Sequence, residues 1–211
     1  MFAITADQVD SRHREDLVDG ALGELARIGG EKLLLPPDRS AGDELQLASP
    51  DPGTALQLLL HLTRPGPAGS AHGLAQWSVG LAIGEVRRPL PEVTRALAGS
   101  AFELAREAVE AAKKRPTRFA IAVEAGRHPD AATLQPLIDL LLQLRARRTP
   151  EGWELYELLD QGLTQSEAAS RLGVTPQAVS LRAQAAQLRT EFAAHQALTT
   201  LLTDADGRIL A

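Results

Sequence analysis

Between Thr164 and Ser180 the chain reads TQSEAASRLGVTPQAVS, and almost every position in it restricts the backbone. Thr164 and Glu167 stand at the T-x-x-E spacing of a capping box, so a helix opens immediately after Thr164. Ala168 and Ala169 are small, as a close helix crossing requires. Leu172 precedes Gly173, which supplies the turn. Thr175 and Pro176 then restart a helix, because proline at the first helical position forfeits no hydrogen bond. Val179, Ala183 and Ala186 continue the inward stripe of that helix. Upstream, Leu155, Leu158 and Leu159 mark a preceding helix that Gly162 ends. Short helices broken in this way form a helix-turn-helix.

The pattern resembles the bacterial-regulator and sigma-region-four type of helix-turn-helix. In that arrangement the second helix of the pair lies in the major groove of DNA, with its first residues at base edges. Here those residues are Thr175, Gln177, Ala178, Ser180 and Leu181. Gln177 suits adenine, and Ser180 tolerates any base. Arg171, Arg182 and Arg189 are the candidates for phosphate contacts. Charge argues the other way. Between residues 145 and 192 six arginines balance six carboxylates, and the whole chain carries −5. DNA binding must therefore come from a local face rather than a global attraction. Use of the motif for dimerisation or protein contact stays open. One reading helix binds weakly, so a homodimer is the expected form.

No strand pattern follows Thr149-Pro150, whereas the first part of the chain alternates strands and helices. Aromatic residues are only 3%, so the core must be built from Leu, Ala, Val and Ile. FAITAD reads as a buried strand and residues 11–30 as a helix. KLLLPP and ELQLAS read as a hairpin around DRSAGD. PGTALQLLLHLTR is a helix, RPGPAGSAHG a loop, WSVGLAIGEV a strand with alternating small residues. LAGSAFELAREAVEAAKKR is a helix, TRFAIAVEAG a strand, and AATLQPLIDLLLQLRARR a Leu-rich helix. The leading βαββαβ order is that of a ferredoxin-like or polymerase-palm sheet, so the expected fold is α+β with helices on one sheet face. Three divisions follow: a palm-like domain at 1–130, a connector helix at 131–150 and a small all-α helix-turn-helix domain at 151–211.

Two strand ends in the first division deliver carboxylates: Asp7 after FAITA, and Asp43 with Glu44 after Gly42. Bland explanations exist. Asp43 suits a turn, and Asp7 can cap the next helix in competition with Asp10 and Ser11. The five histidines are too scattered to form a ligand set, and the basic KKRPTR run suits a helix C-terminus. With ITADQVDSR, SAGDELQ, GLAIGEV and GSAFELAREAVE in this order, however, the chain resembles the SatD-like family and, more distantly, the palm-type nucleotidyl cyclases and their GGDEF-type hairpin. The resemblance covers most of residues 1–125. It implies that Asp7, Asp43 and Glu44 hold a nucleotide through Mg²⁺ or Mn²⁺. It also exposes departures. The positions where cyclases place an Asn and an Arg hold Glu103 and Glu107, with Arg106 one residue away. A carboxylate there repels a transferring phosphoryl group.

The sequence thus points to a DNA-binding transcriptional regulator with a non-catalytic, nucleotide- or metal-binding palm-like domain. The alternatives are a divergent nucleotidyl cyclase or transferase whose helix-turn-helix serves localisation or dimerisation, and a structural adaptor. No cysteine is present, the start shows no signal-peptide pattern, and the longest apolar run contains Asp139 and two glutamines. The expected setting is cytoplasmic, without a membrane partner.

Overall fold

The computed structural model describes residues 1–65 and 76–207; most of the expected RPGPAGSAHG loop lies outside the described residues. The chain runs β1 (Phe2–Gln8), α1 (Val18–Gly29), β2 (Asp38–Ala41), β3 (Glu44–Ser49), α2 (Pro52–Leu62), β4 (Trp77–Ile83), α3 (Ser100–Ala112), β5 (Phe119–Val123) and α4 (Ala131–Ala146). Four helices follow: α5 (Pro150–Asp160), α6 (Gln165–Leu172), α7 (Pro176–Ala185) and α8 (Leu188–Asp206). The sheet is mixed and five-stranded, in the order β2-β3-β1-β4-β5. Its first four strands pair antiparallel, and β5 lies parallel to β4. The fold is α+β.

The pleat of β1 explains the layering. Phe2, Ile4 and Ala6 point to one face, where Leu47, Val79, Leu81 and Phe119 join them under α1, α2, α4 and α8. Ala3 points to the other face with Ala48 and Ala82, and these meet Ala101, Phe102 and Ala105 of α3. Helices therefore cover both faces, not one as the sequence led us to expect. The small residues alternating along the strands are the seat of α3. A methyl group on Gly80 would stand 2.4 Å from both the Ala105 carbonyl oxygen and the Val109 nitrogen.

The hairpin also differs from expectation. Its first strand is DRSA, not KLLLPP. Pro36 and Pro37 have no N–H to give a ladder, so the ladder begins only at Asp38↔Gln46 and shifts register between Arg39 and Ala41. Gly42 (φ +56°) makes the turn, and Arg39 Nη1 donates to its carbonyl at 2.6 Å.

Within the expected 151–211 segment, α8 contributes to two clusters. Its first turns carry Leu188 into a cluster with Leu155, Ala168, Ala169 and Val179. Its later turns insert Leu198, Leu202 and Ala205 into the sheet core. At the end of α8, Asp206 pairs with the Met1 amino group, and Arg127 Nη1 donates to the Asp206 carbonyl oxygen at 2.6 Å.

Where α4, α5, α7 and α8 converge, three buried charges meet. Arg145 and Arg148 each donate to one carboxylate oxygen of Glu191, and all three side chains are at most 3% exposed. Arg145 Nη2 also donates to the Leu60 carbonyl oxygen at 3.1 Å, and Arg148 Nη2 to that of Ala186 at 3.3 Å. The Trp153 ring lies 4.8 Å from the Arg145 guanidinium and 4.5 Å from that of Arg148. Burial lowers the Arg148 pKa from its ordinary value, against the pull of Glu191. Removing the single carboxylate would leave two buried cations without an anion. Glu191→Ala should therefore lower the unfolding free energy by about 3–5 kcal/mol, as measured by urea denaturation. A loss under about 1 kcal/mol would mean that the trio contributes little.

Candidate nucleic-acid interface

The helix pair forms as its caps dictate. The Thr164 Oγ1 accepts from the Glu167 amide at 3.3 Å, and Glu167 Oε2 accepts from the Thr164 amide at 2.7 Å. The bond from the Thr164 backbone, and then one that the Thr164 hydroxyl donates to Oε2 at 2.7 Å, hold the Glu167 carboxyl below its ordinary pKa. Gly173 adopts the left-handed conformation (φ +65°), and the Val174 amide donates back to the Ala169 carbonyl oxygen at 3.1 Å. Thr175 caps α7 by accepting from the Ala178 amide at 3.2 Å, with Pro176 at the first position. Val179 is fully buried against the cluster of Leu155, Ala168 and Leu188.

That anchoring fixes what α7 presents to solvent. Gln177 lies about 200° around the helix from Val179 and is exposed, as are Thr175 and Ser180. Leu181 is 66% exposed, while Ala178 is half-buried at the edge. Gln184, absent from the sequence-based candidates, completes the same face: 177, 180, 181 and 184 follow the i, i+3, i+4, i+7 spacing of one helix surface. That spacing was available in the sequence and is the signal that finds it.

The arginines divide. Arg171 and Arg189 are exposed and make no ion pair among the described residues. Arg182 is half-buried, with its Nη1 3.5 Å from Glu154 Oε2 on α5. It ties α7 to α5 instead of standing free beside it.

At the sheet edge the expected carboxylates are not brought to one point. In the β1–β3 register Asp7 lies opposite Glu44, and the Gln8 amide donates to the Asp43 carbonyl oxygen at 3.1 Å. Asp7 therefore shares its sheet face with Glu44 on the α3 side, where its Oδ2 lies 3.0 Å from Lys113 Nζ. Burial works against the Lys113 ammonium, yet Glu110 and Asp7 together raise its pKa above the ordinary value. Asp43 turns the other way. Its carboxylate accepts from Ser11 Oγ and borders a cleft of about 400 Å³ with Gln8, Asp16 and Gly42. Among the described residues no group of three or more His, Asp or Glu side chains is arranged to hold a metal ion. Glu103, Arg106 and Glu107 are exposed on α3. Comparison of the chain with family models, with curated proteins and with solved structures found no match.

Two carboxylates that bind no common ion should act independently. In a double-mutant cycle, Asp7→Asn and Asp43→Asn should change the Mn²⁺-dependent shift in thermal stability additively, within about 0.5 kcal/mol. A coupling well above that would put both at one ion.

Proposed function

We propose that this protein is a DNA-binding transcriptional regulator in which α7 reads base edges in the major groove and the sheet domain carries the motif without turning over nucleotide. The observation that carries this reading is the division of α7. Its inner face is locked by Val179, while Gln177, Ser180, Leu181 and Gln184 stand together in solvent, committed to no partner within the described chain. Thr175 caps the helix from the groove-facing end. Arg171 and Arg189, one before α7 and one after it, are the cations available to phosphates.

The sheet domain fits a palm-type, SatD-like ancestry. What supports it is that strands β1 to β4, with α1 and α2 between them, follow the βαββαβ order and pair antiparallel in the arrangement 2-3-1-4 that a ferredoxin-like sheet would have. Cyclase chemistry is not part of the proposal. It needs two carboxylates on one ion pair and donors to the transferring phosphate. Here Asp7 is engaged by Lys113, Asp43 by Ser11, and α3 offers Glu103 and Glu107. A homodimer is the expected DNA-bound form, one α7 to each half-site.

Capture of genomic DNA by the intact protein, followed by titration of the recovered sites, tests the proposal. Gln177→Ala should leave folding unchanged and relax preference at one base position by about 1–3 kcal/mol. Arg171→Ala should weaken binding to every sequence and reduce the salt slope by about one. If both variants bind as the wild type does across salt concentrations, α7 is not the reader and the motif serves dimerisation.

A further inference from the structure

The exposed face of α7 is unusual in carrying no charge. Arg182 is the only ionisable residue between Pro176 and Ala185, and it is turned to Glu154 at 3.5 Å. The face holds two amides (Gln177 and Gln184), one hydroxyl (Ser180) and one large apolar side chain, Leu181, which is 66% exposed. Each base pair demands particular groups in the major groove. Guanine is read chiefly by Arg or Lys, and the cytosine amine by Asp or Glu. None of these stands on this face. Adenine is read by the two-pronged amide of Gln or Asn, and the thymine C5-methyl group by apolar contact. Both of those are present. Leu181 follows Gln177 by one turn, a rise of about 6 Å, and Gln184 follows Leu181 by about 4.5 Å. These steps are comparable to one or two base pairs along the groove.

We propose that α7 reads A·T pairs, with Gln177 and Gln184 bonded to adenines and Leu181 packed on the C5-methyl group of a thymine between or beside them. This inference rests on the reading of α7 as the DNA-contacting helix and names the class of site it recognises. It also accounts for Leu181. A leucine left bare on a reading helix gains contact only when an apolar group meets it, and the thymine methyl is the apolar group that the major groove offers. Balanced charge across the motif suits the same role, because discrimination then comes from base edges more than from phosphate attraction.

The test uses the intact protein and a library of randomised duplexes. The enriched duplex is resynthesised with each thymine replaced in turn by deoxyuridine, which removes only the methyl group. Wild-type protein should lose about fourfold in affinity at one thymine per half-site, the fold-change of one methyl leaving apolar contact. Leu181→Ala, at an exposed position, should fold normally by circular dichroism and show no preference for thymine over uracil there, while Leu181→Met should retain it. Enrichment of G·C pairs at the positions sensitive to Gln177→Ala would overturn the inference while leaving DNA binding intact. Equal affinity for every uracil-substituted duplex would do the same. If no duplex is enriched, the DNA-binding reading itself fails, and this inference with it. Leu181→Ala that changes the oligomeric state but not the thymine preference would assign Leu181 to a protein contact instead.

Discussion

The fold turns on one buried carboxylate. Glu191 receives Arg145 through one oxygen and Arg148 through the other, and from there the contacts reach α2, α5 and the end of α7. Arg145 extends to the last turn of α2 through the Leu60 carbonyl, and Arg148 to the end of α7 through Ala186. Trp153 and Tyr156 on α5 lie against both guanidiniums at 4.5–5.2 Å. Lysine could not substitute. A planar, delocalised guanidinium can bond two elements at once and stack on a ring, whereas an ammonium is a compact point charge. Two cations against one anion are a costly choice for an interior if stability were the only aim, and an apolar cluster of the same volume is often as stable. The trio's bonds join Arg145 on α4 and Arg148 before α5 to Glu191 on α8 and to the carbonyl after α7.

The sheet is the platform on which that arrangement rests. Its two faces are filled differently. Leucines, isoleucines and phenylalanines occupy one face, while alanines and Gly80 on the other let α3 approach within contact distance of the strands. At the strand ends Asp7 is paired with Lys113 and Asp43 accepts a hydrogen bond from Ser11. The second half of α8 is inserted into the larger core. Leu198, Leu202 and Ala205 thereby anchor the helix that carries Leu188 to the other cluster. The face of α7 that carries Gln177, Ser180, Leu181 and Gln184 is thus held to solvent on the side away from Val179.

Local features were legible in the sequence and distant ones were not. Thr164 with Glu167, Gly173, and Thr175 with Pro176 each specify a backbone state within four residues, and each formed as read. The alternation of strands and helices in residues 1–125 also emerged, because hydrophobic period is a short-range signal. The first hairpin strand did not, since apolar KLLLPP outweighed the two prolines, and apart from the Leu34 amide bonded to the Ala48 carbonyl the ladder begins at Asp38. Helices on both faces were hidden because alanines in a strand look like filler until a helix packs on them. The separation of Asp7 from Asp43 hangs on parity: a shift of one residue in register moves a side chain to the opposite face. The trio joins residues 43 and 46 positions apart, and Arg145, Arg148 and Glu191 read in sequence as ordinary surface charges.

Through its bonds to α2, α4, α8 and the end of α7, the buried trio should make the helix-turn-helix and the sheet unfold as one cooperative body. Only Trp77 and Trp153 fluoresce as tryptophans in this chain, so a Trp77→Phe variant leaves Trp153, beside the trio, as the sole indole reporter. Urea unfolding of that variant should be followed by Trp153 fluorescence and by far-ultraviolet circular dichroism on the same samples. A single body predicts superimposable transitions with one midpoint. A Trp153 transition complete at a urea concentration where most of the dichroism remains would show that the motif melts alone, and would contradict the account.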